Sequence, residues 1–256
     1  MEISELQKEL AATFRWTARL NMHEGVANHF SACVPDSSDF YVNKAGIHFS
    51  NMKASDLILV TKENKEELKN KPDIIDPTAL YIHSAIHEKA PHARCIFHVH
   101  SKYATALSTL KDPVMKPIDQ NTMMFYNRVS TFKEFGGLGL EEESIKMANA
   151  LGNKQHMLLA NHGILTTGRT VAEGFNSLYY FERAAETYLT ALSTNQELNV
   201  VSHEIAEKTA EEHENFPTDF ANLFLSQIRI ILDKDCLLYT SPSPRDAIPS
   251  RMPSSA

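Results

Sequence analysis

Residues 93–100 read ARCIFHVH and residues 156–163 read HMLLANHG, two apolar stretches that each run into histidine. In the first, the apolar residues Cys95, Ile96 and Phe97 lead into His98-Val99-His100. A strand repeats every two residues, so His98 and His100 fall on one face, roughly 7 Å apart at the backbone, with Val99 on the other. That spacing suits chelation of one ion. Catalytic metal sites commonly combine three protein ligands with one open position, and neutral imidazole is a frequent ligand. The second stretch offers the third ligand. An apolar strand, His156 to Ala160, ends in Asn161-His162-Gly163, where Gly163 is expected to permit a sharp turn that presents His162. An H-x-H pair alone describes hydrogen-bonded histidines on a half-buried strand equally well; the third histidine makes His98, His100 and His162 the candidate metal ligands.

Outward from these stretches, helices alternate with strands. Asp76-Pro77-Thr78 begins a helix well, with Asp76 as N-cap and Pro77 at the first helical position, running to about Lys89. Ser101 is placed to cap a helix through Leu110, Glu141 to Leu151 reads as another with acidic residues in its first turn, and Thr170 to about Ser193 as a long one. Asp219 to Leu232 is the last, and residues 3–22 form an opening amphipathic helix. His29 to Val34, Phe40 to Asn43 and Leu57 to Val60 have strand character, separated by turn-rich segments. Early strands followed by interleaved strands and helices predict an α/β fold, one mixed sheet covered by helices on both faces.

Composition narrows the function classes. A formal charge of −7 gives no general affinity for nucleic acid or anionic membrane. No apolar run approaches the roughly 18 residues of a membrane span, and the opening segment is no signal peptide, so a cytoplasmic location is expected. Cys33, Cys95 and Cys236 have no paired spacing, which argues against a disulfide framework or a thiolate zinc site. Residues 236–256, CLLYTSPSPRDAIPSRMPSSA, break with the rest and look like a translated sequencing-library adapter; the domain is expected to occupy residues 1–235.

The segments ALYIHSAIHEKAPHARCIFHVHSKYATALST (79–109) and HMLLANHGILTTGRTVAEGFNSLYYFERAAETYLT (156–190) resemble signature segments of the class II aldolase/adducin family. The resemblance implies a three-layer α/β/α sandwich with a central mixed sheet, commonly a homotetramer. It also implies one divalent ion on His98, His100 and His162, zinc first, with manganese, iron or cobalt as alternatives. The activity implied is a metal-dependent carbon–carbon lyase, aldolase- or decarboxylase-like, acting on a small hydroxy or keto substrate. The alternative is a non-catalytic interaction module like the adducin head.

One departure from the family bears on that choice. Its sugar-phosphate aldolases carry a glutamate acid/base four residues before the position of His83, where this chain has Ala79. Metal polarisation needs only the ion, but taking a proton from carbon needs a positioned base. His83, on one helix face with His87, and His29, on an early strand, are the candidate replacements. The family's phosphate donors correspond to Asn28, His29, Ala45, Gly46, Pro77 and Thr78, and Pro77 has no N–H to give. Asn28, Gly46 and Thr78 remain as substrate-binding candidates, with Gln120 and Arg128 from a segment that in the family runs near a neighbouring subunit's site. A sugar phosphate is therefore not the expected substrate.

Overall fold

The computed structural model describes residues 3–134 and 136–234. Helix α1 (Glu5–Arg19) opens on a capping box between Ser4 and Gln7. Strands β1 (His29–Cys33), β2 (Phe40–Asn43) and β3 (Leu57–Val60) follow, then the short α2 (Lys65–Leu68). Helix α3 (Pro77–Lys89) starts where the sequence places it, the Asp76 carboxylate accepting from Thr78 N at 2.7 Å. Next come β4 (Cys95–Val99), α4 (Lys102–Ser108), α5 (Gln120–Met124), β5 (Val129–Phe132) and α6 (Glu141–Leu151). The chain continues through β6 (His156–Leu159), β7 (Gly163–Gly168), α7 (Val171–Ser193), α8 (His203–Glu214) and α9 (Phe220–Lys234).

The seven strands form one sheet in the order β3-β2-β1-β4-β7-β6-β5, antiparallel throughout except for the β5–β6 pair. Alternation along the strands sorts side chains between the two faces of the sheet. Phe30, Phe97 and Ile164 pack with Phe14 of α1, Phe175 and Phe181 of α7, and Ile228 of α9. Ile96, Leu165 and Met157 point the other way, onto Ile82 and Ile86 of α3 and Met147 of α6. The result is a sheet sandwiched between helices, the expected architecture. The short α2 and α5, the longer α8 and strands β5 and β7 have no counterpart in the sequence pattern; β7 begins at Gly163, inside what reads as a turn. Among the described residues no helix is long and apolar enough to cross a membrane. Residues 236–256, with their adapter-like sequence, lie outside the described residues.

At two positions the local structure differs from the sequence pattern. Ser101 precedes α4 but makes no capping bond. The buried carboxylate of Glu182 on α7 does the capping instead, accepting from Tyr103 N at 2.8 Å, Ala104 N at 2.9 Å and the Ser101 hydroxyl at 2.6 Å. A carboxylate meets the positive helix end better than a hydroxyl does. Gly163 is also not the turning residue. Asn161 takes the left-handed conformation (φ 57°), and Gly163 serves close approach, since a Cβ there would stand 2.4 Å from Val99 O.

Candidate metal centre

His98 is the penultimate residue of β4, opposite Leu165 of β7, and His100 follows directly after the strand. His162 lies in the tight connection between β6 and β7, its N–H bonded to Leu159 O at 3.1 Å. The connection folds back over the end of β4. A ligand nitrogen from each of the three histidines lies within 4.8 Å of the others. The ring centroids are 5.0 Å (98–100), 4.8 Å (98–162) and 4.6 Å (100–162) apart.

Hydrogen bonding fixes which nitrogens face inward. His98 Nδ1 lies 3.0 Å from Ile164 O; a carbonyl only accepts, so Nδ1 carries the proton. His100 Nδ1 donates to the carboxylate of Glu24. In the neutral tautomers both Nε2 atoms are then lone pairs, and they stand 3.1 Å apart. Two acceptors at that separation repel unless a cation lies between them, and ligands about 2.1 Å from a tetrahedral ion stand close to this distance. Donation of the outer N–H to a carboxylate or carbonyl is the usual support of a metal-binding imidazole. The residues therefore fit a divalent ion. Burial, reinforced by the neighbouring histidines, holds His98 well below the ordinary histidine range, and burial first also brings His162 down to about 4. Both are neutral at pH 7, as ligands must be.

On the α3 face of the sheet a second set of side chains runs up to the triad. His29 pairs with His98 across β1 and β4, their rings 4.9 Å apart. His29 Nδ1 lies 2.7 Å from His83 Nε2, and His83 Nδ1 is hydrogen-bonded to the hydroxyl of Ser31. Ser31 Oγ also lies 2.8 Å from His87 Nε2, and His87 Nδ1 is 2.8 Å from Ala93 O. Beyond His29, its Nε2 approaches Thr78 Oγ1 at 3.4 Å, and Thr78 donates to Asp76 at 2.6 Å. Burial is the leading reason that His29 and His87 fall to about 4 and His83 well below its ordinary value. Ala79 is wholly buried among apolar neighbours.

The predicted substrate residues divide. Asn28 and Thr78 are at the site: Asn28 Oδ1 accepts from Glu24 N at 2.8 Å, while its buried Nδ2 has no partner among the described residues. Gly46 stands in the turn after β2 in the left-handed region (φ 74°), with open space where a Cβ would be. Gln120 and Arg128 are not brought to the triad. They line a cavity of about 720 Å³ at the other end of β6 and β7, with His156, Asn176, Tyr180 and Phe216. The Arg128 guanidinium is already occupied, by Glu207 and, at 3.0 and 3.1 Å, by Glu214. Glu24 and Ser31 went unrecognised in the sequence. Ser31 had a signal, since His29-Phe30-Ser31 alternates along one strand face; Glu24 had none.

The model of the class II aldolase and adducin N-terminal domain matches residues 8–189. A Pseudomonas aeruginosa protein, whose name assigns it provisionally to aldolase class 2, is 32% identical over 74% of this chain and 73% of its own. Decarboxylase NovR of Streptomyces niveus is 29% identical over 63% of this chain and 60% of its own. The solved L-fuculose 1-phosphate aldolase from Glaciozyma antarctica superposes with a TM-score of 0.76 at 29% identity, covering 90% of each chain.

Proposed function

The chain belongs to the class II aldolase and adducin family, and on that premise we propose that it is a metal-dependent carbon–carbon lyase of the decarboxylating kind, acting on a small hydroxy or keto acid. The carrying observation is the combination of a complete histidine triad with Ala79 at the family's glutamate position. His98, His100 and His162 would hold the ion, zinc by preference among zinc, manganese, iron and cobalt. Bound there, it supplies Lewis-acid stabilisation of enolate charge. In the decarboxylation of an acid with a carbonyl β to its carboxylate, the carbon–carboxylate bond breaks, its electron pair is taken up through that carbonyl as the enolate, and carbon dioxide leaves. No base is needed for that step, which suits a site without the glutamate. A proton must then reach carbon, and His29, with His83 behind it, is the group beside the triad whose Nε2 can take one up and pass it on. Asn28 Nδ2 and Thr78 are the nearby groups that orient the substrate, and Gly46 keeps the rim open.

The resemblance to a decarboxylase supports this reading, and the resemblance to a fuculose phosphate aldolase supports the lyase class in general. We further propose a cytoplasmic homotetramer, in which the Gln120–Arg128 segment runs near the neighbouring copy. Ala79 also favours a second reading, a non-catalytic assembly module of the adducin kind.

The test is elemental analysis of the untagged chain beside a His98→Ala/His100→Ala variant, followed by turnover of a panel of hydroxy and keto acids and aldol sugar phosphates. About one ion per chain, lost in the variant, with carbon dioxide released from a member of the panel, is expected. A folded wild type that takes up no ion would sink the lyase reading in favour of the assembly module, and efficient cleavage of a sugar phosphate alone would sink the decarboxylase.

A further inference from the structure

The buried set Ala93–His87–Ser31–His83–His29 forms one unbroken run of hydrogen bonds, and its two ends decide the direction of every proton in it. At one end His87 Nδ1 is 2.8 Å from the Ala93 carbonyl, which can only accept, so this nitrogen carries the hydrogen. Cys33 Sγ, 3.2 Å from the same nitrogen, is a second weak acceptor for it. At the other end His29 Nε2 is 3.4 Å from Thr78 Oγ1, long for an N–H donor to oxygen, and the Thr78 hydrogen is already directed at Asp76 over 2.6 Å. The strong bond sets the polarity and the long contact is where the run stops.

We propose that Ser31 and His87 are positioning residues that fix His29 as the Nδ1–H tautomer, leaving the Nε2 lone pair turned toward the substrate side. With Nδ1 of His87 protonated, its Nε2 accepts from the Ser31 hydroxyl at 2.8 Å. The Ser31 oxygen then accepts from His83 Nδ1. A neutral His83 has no second hydrogen, so its Nε2 accepts from His29 Nδ1 over 2.7 Å. His83 and His87 are buried and neutral, so each ring has a single N–H to place. This deepens the lyase reading, because an Nε2 lone pair beside the triad is where a proton can be accepted before it is passed on to carbon.

Removing the Ala93 anchor should reverse the run. In His87→Leu the Ser31 hydroxyl has no acceptor on that side and turns to donate to His83 Nδ1. His83 must then carry its hydrogen on Nε2 and give it to His29 Nδ1, which moves the His29 hydrogen to Nε2. Ser31→Ala frees His83 to make the same change, while Ser31→Thr keeps the hydroxyl and His87→Gln keeps both an amide donor for Ala93 and an acceptor for Ser31.

The experiment is solid-state NMR of ¹⁵N-histidine-labelled, zinc-loaded full chain, with the His29 signals assigned by their loss in His29→Gln. Protonated Nδ1 and bare Nε2 are expected in the wild type, Ser31→Thr and His87→Gln, with the pattern exchanged in His87→Leu. Turnover in His87→Leu should fall on the order of 10²-fold or more, as loss of a correctly set acid/base does. A wild-type His29 protonated on Nε2, or a His29 pattern unchanged in His87→Leu, overturns the proposal. If His87→Leu does not fold, the same reading is made on Ser31→Ala, which removes a single oxygen. The tautomer is read without substrate, so failure of the lyase assignment and failure of this proposal are separate results.

Discussion

A Cβ placed on Gly163 would stand 2.4 Å from the carbonyl oxygen of Val99 and 3.1 Å from Cδ2 of His100, so the backbone carrying His162 and the backbone carrying His100 meet where only glycine fits. Gly163→Ala must push β7 from β4 at the point where the triad converges. The expected cost is about 1–3 kcal/mol of stability, the usual scale for overpacking. Metal affinity should fall with it, because ligands displaced from a common centre no longer share one ion. Zinc titration by calorimetry beside thermal unfolding checks this; unchanged affinity in a folded variant would show that the close contact does not set the site.

Glu24 tests the support behind the ligands. Its carboxylate accepts from His100 Nδ1 but is itself largely exposed, with 62% of the side chain open to solvent. Glu24→Ala should therefore leave the fold intact while weakening metal binding by about 10–100-fold, the scale typical of such partners. Competition with a chelating dye gives the number. A variant that binds as tightly as wild type would mean that His100 is held by its strand end alone.

Much of this site was legible in the sequence because its signals are local. His98-Val99-His100 gives a shared strand face, and Asp76-Pro77-Thr78 gives a helix start whose cap forms as read. The rest depends on the order of strands in space, which no local pattern carries. His29 meets His98 because β1 lies beside β4, and Ser31 then reaches both His83 and His87. Arg128 is a substrate-binding candidate only through the family segment that runs near a neighbouring subunit, and the carboxylates it meets within its own chain, Glu207 and Glu214 of α8, lie some eighty residues on, where no local pattern could point to them. Gly163 was recognised as a constrained position for the wrong reason, since flexibility and close approach leave the same residue behind.

Glu182 ties the start of α4 to α7 through three hydrogen bonds. Its carboxylate receives the Ser101 hydroxyl and the N–H groups of Tyr103 and Ala104, all buried or nearly so. Glu182→Ala leaves those donors without an acceptor, at an expected cost of about 3 kcal/mol, or roughly 10 °C in Tm for a chain of this size. Glu182→Gln keeps an acceptor oxygen and should recover more than half of the loss. Differential scanning calorimetry of the two variants decides it, and an alanine variant within about 2 °C of wild type would contradict the capping role.

His156 sets a pH dependence that can be isolated from the metal site, since it lies at the opposite end of β6. It is buried, its Nδ1 has no partner among the described residues, and burial brings it down to about 4. In the unfolded chain a histidine titrates near 6.5. Between these values the unfolded state holds a proton that the folded state does not, so stability rises with pH; the contribution is fully present above about 6.5 and is lost as pH falls toward 4. His156→Leu removes one such proton. Within that window its stability should fall with decreasing pH less steeply than that of the wild type, by up to about 1.4 kcal/mol per pH unit, and above pH 6.5 the two slopes should coincide. Urea unfolding of the chelator-treated proteins at half-unit steps measures the difference directly. Parallel curves from pH 6.5 to 4 would mean that His156 takes up its proton in the folded state, through an opening of α5 and α7 over the end of β6.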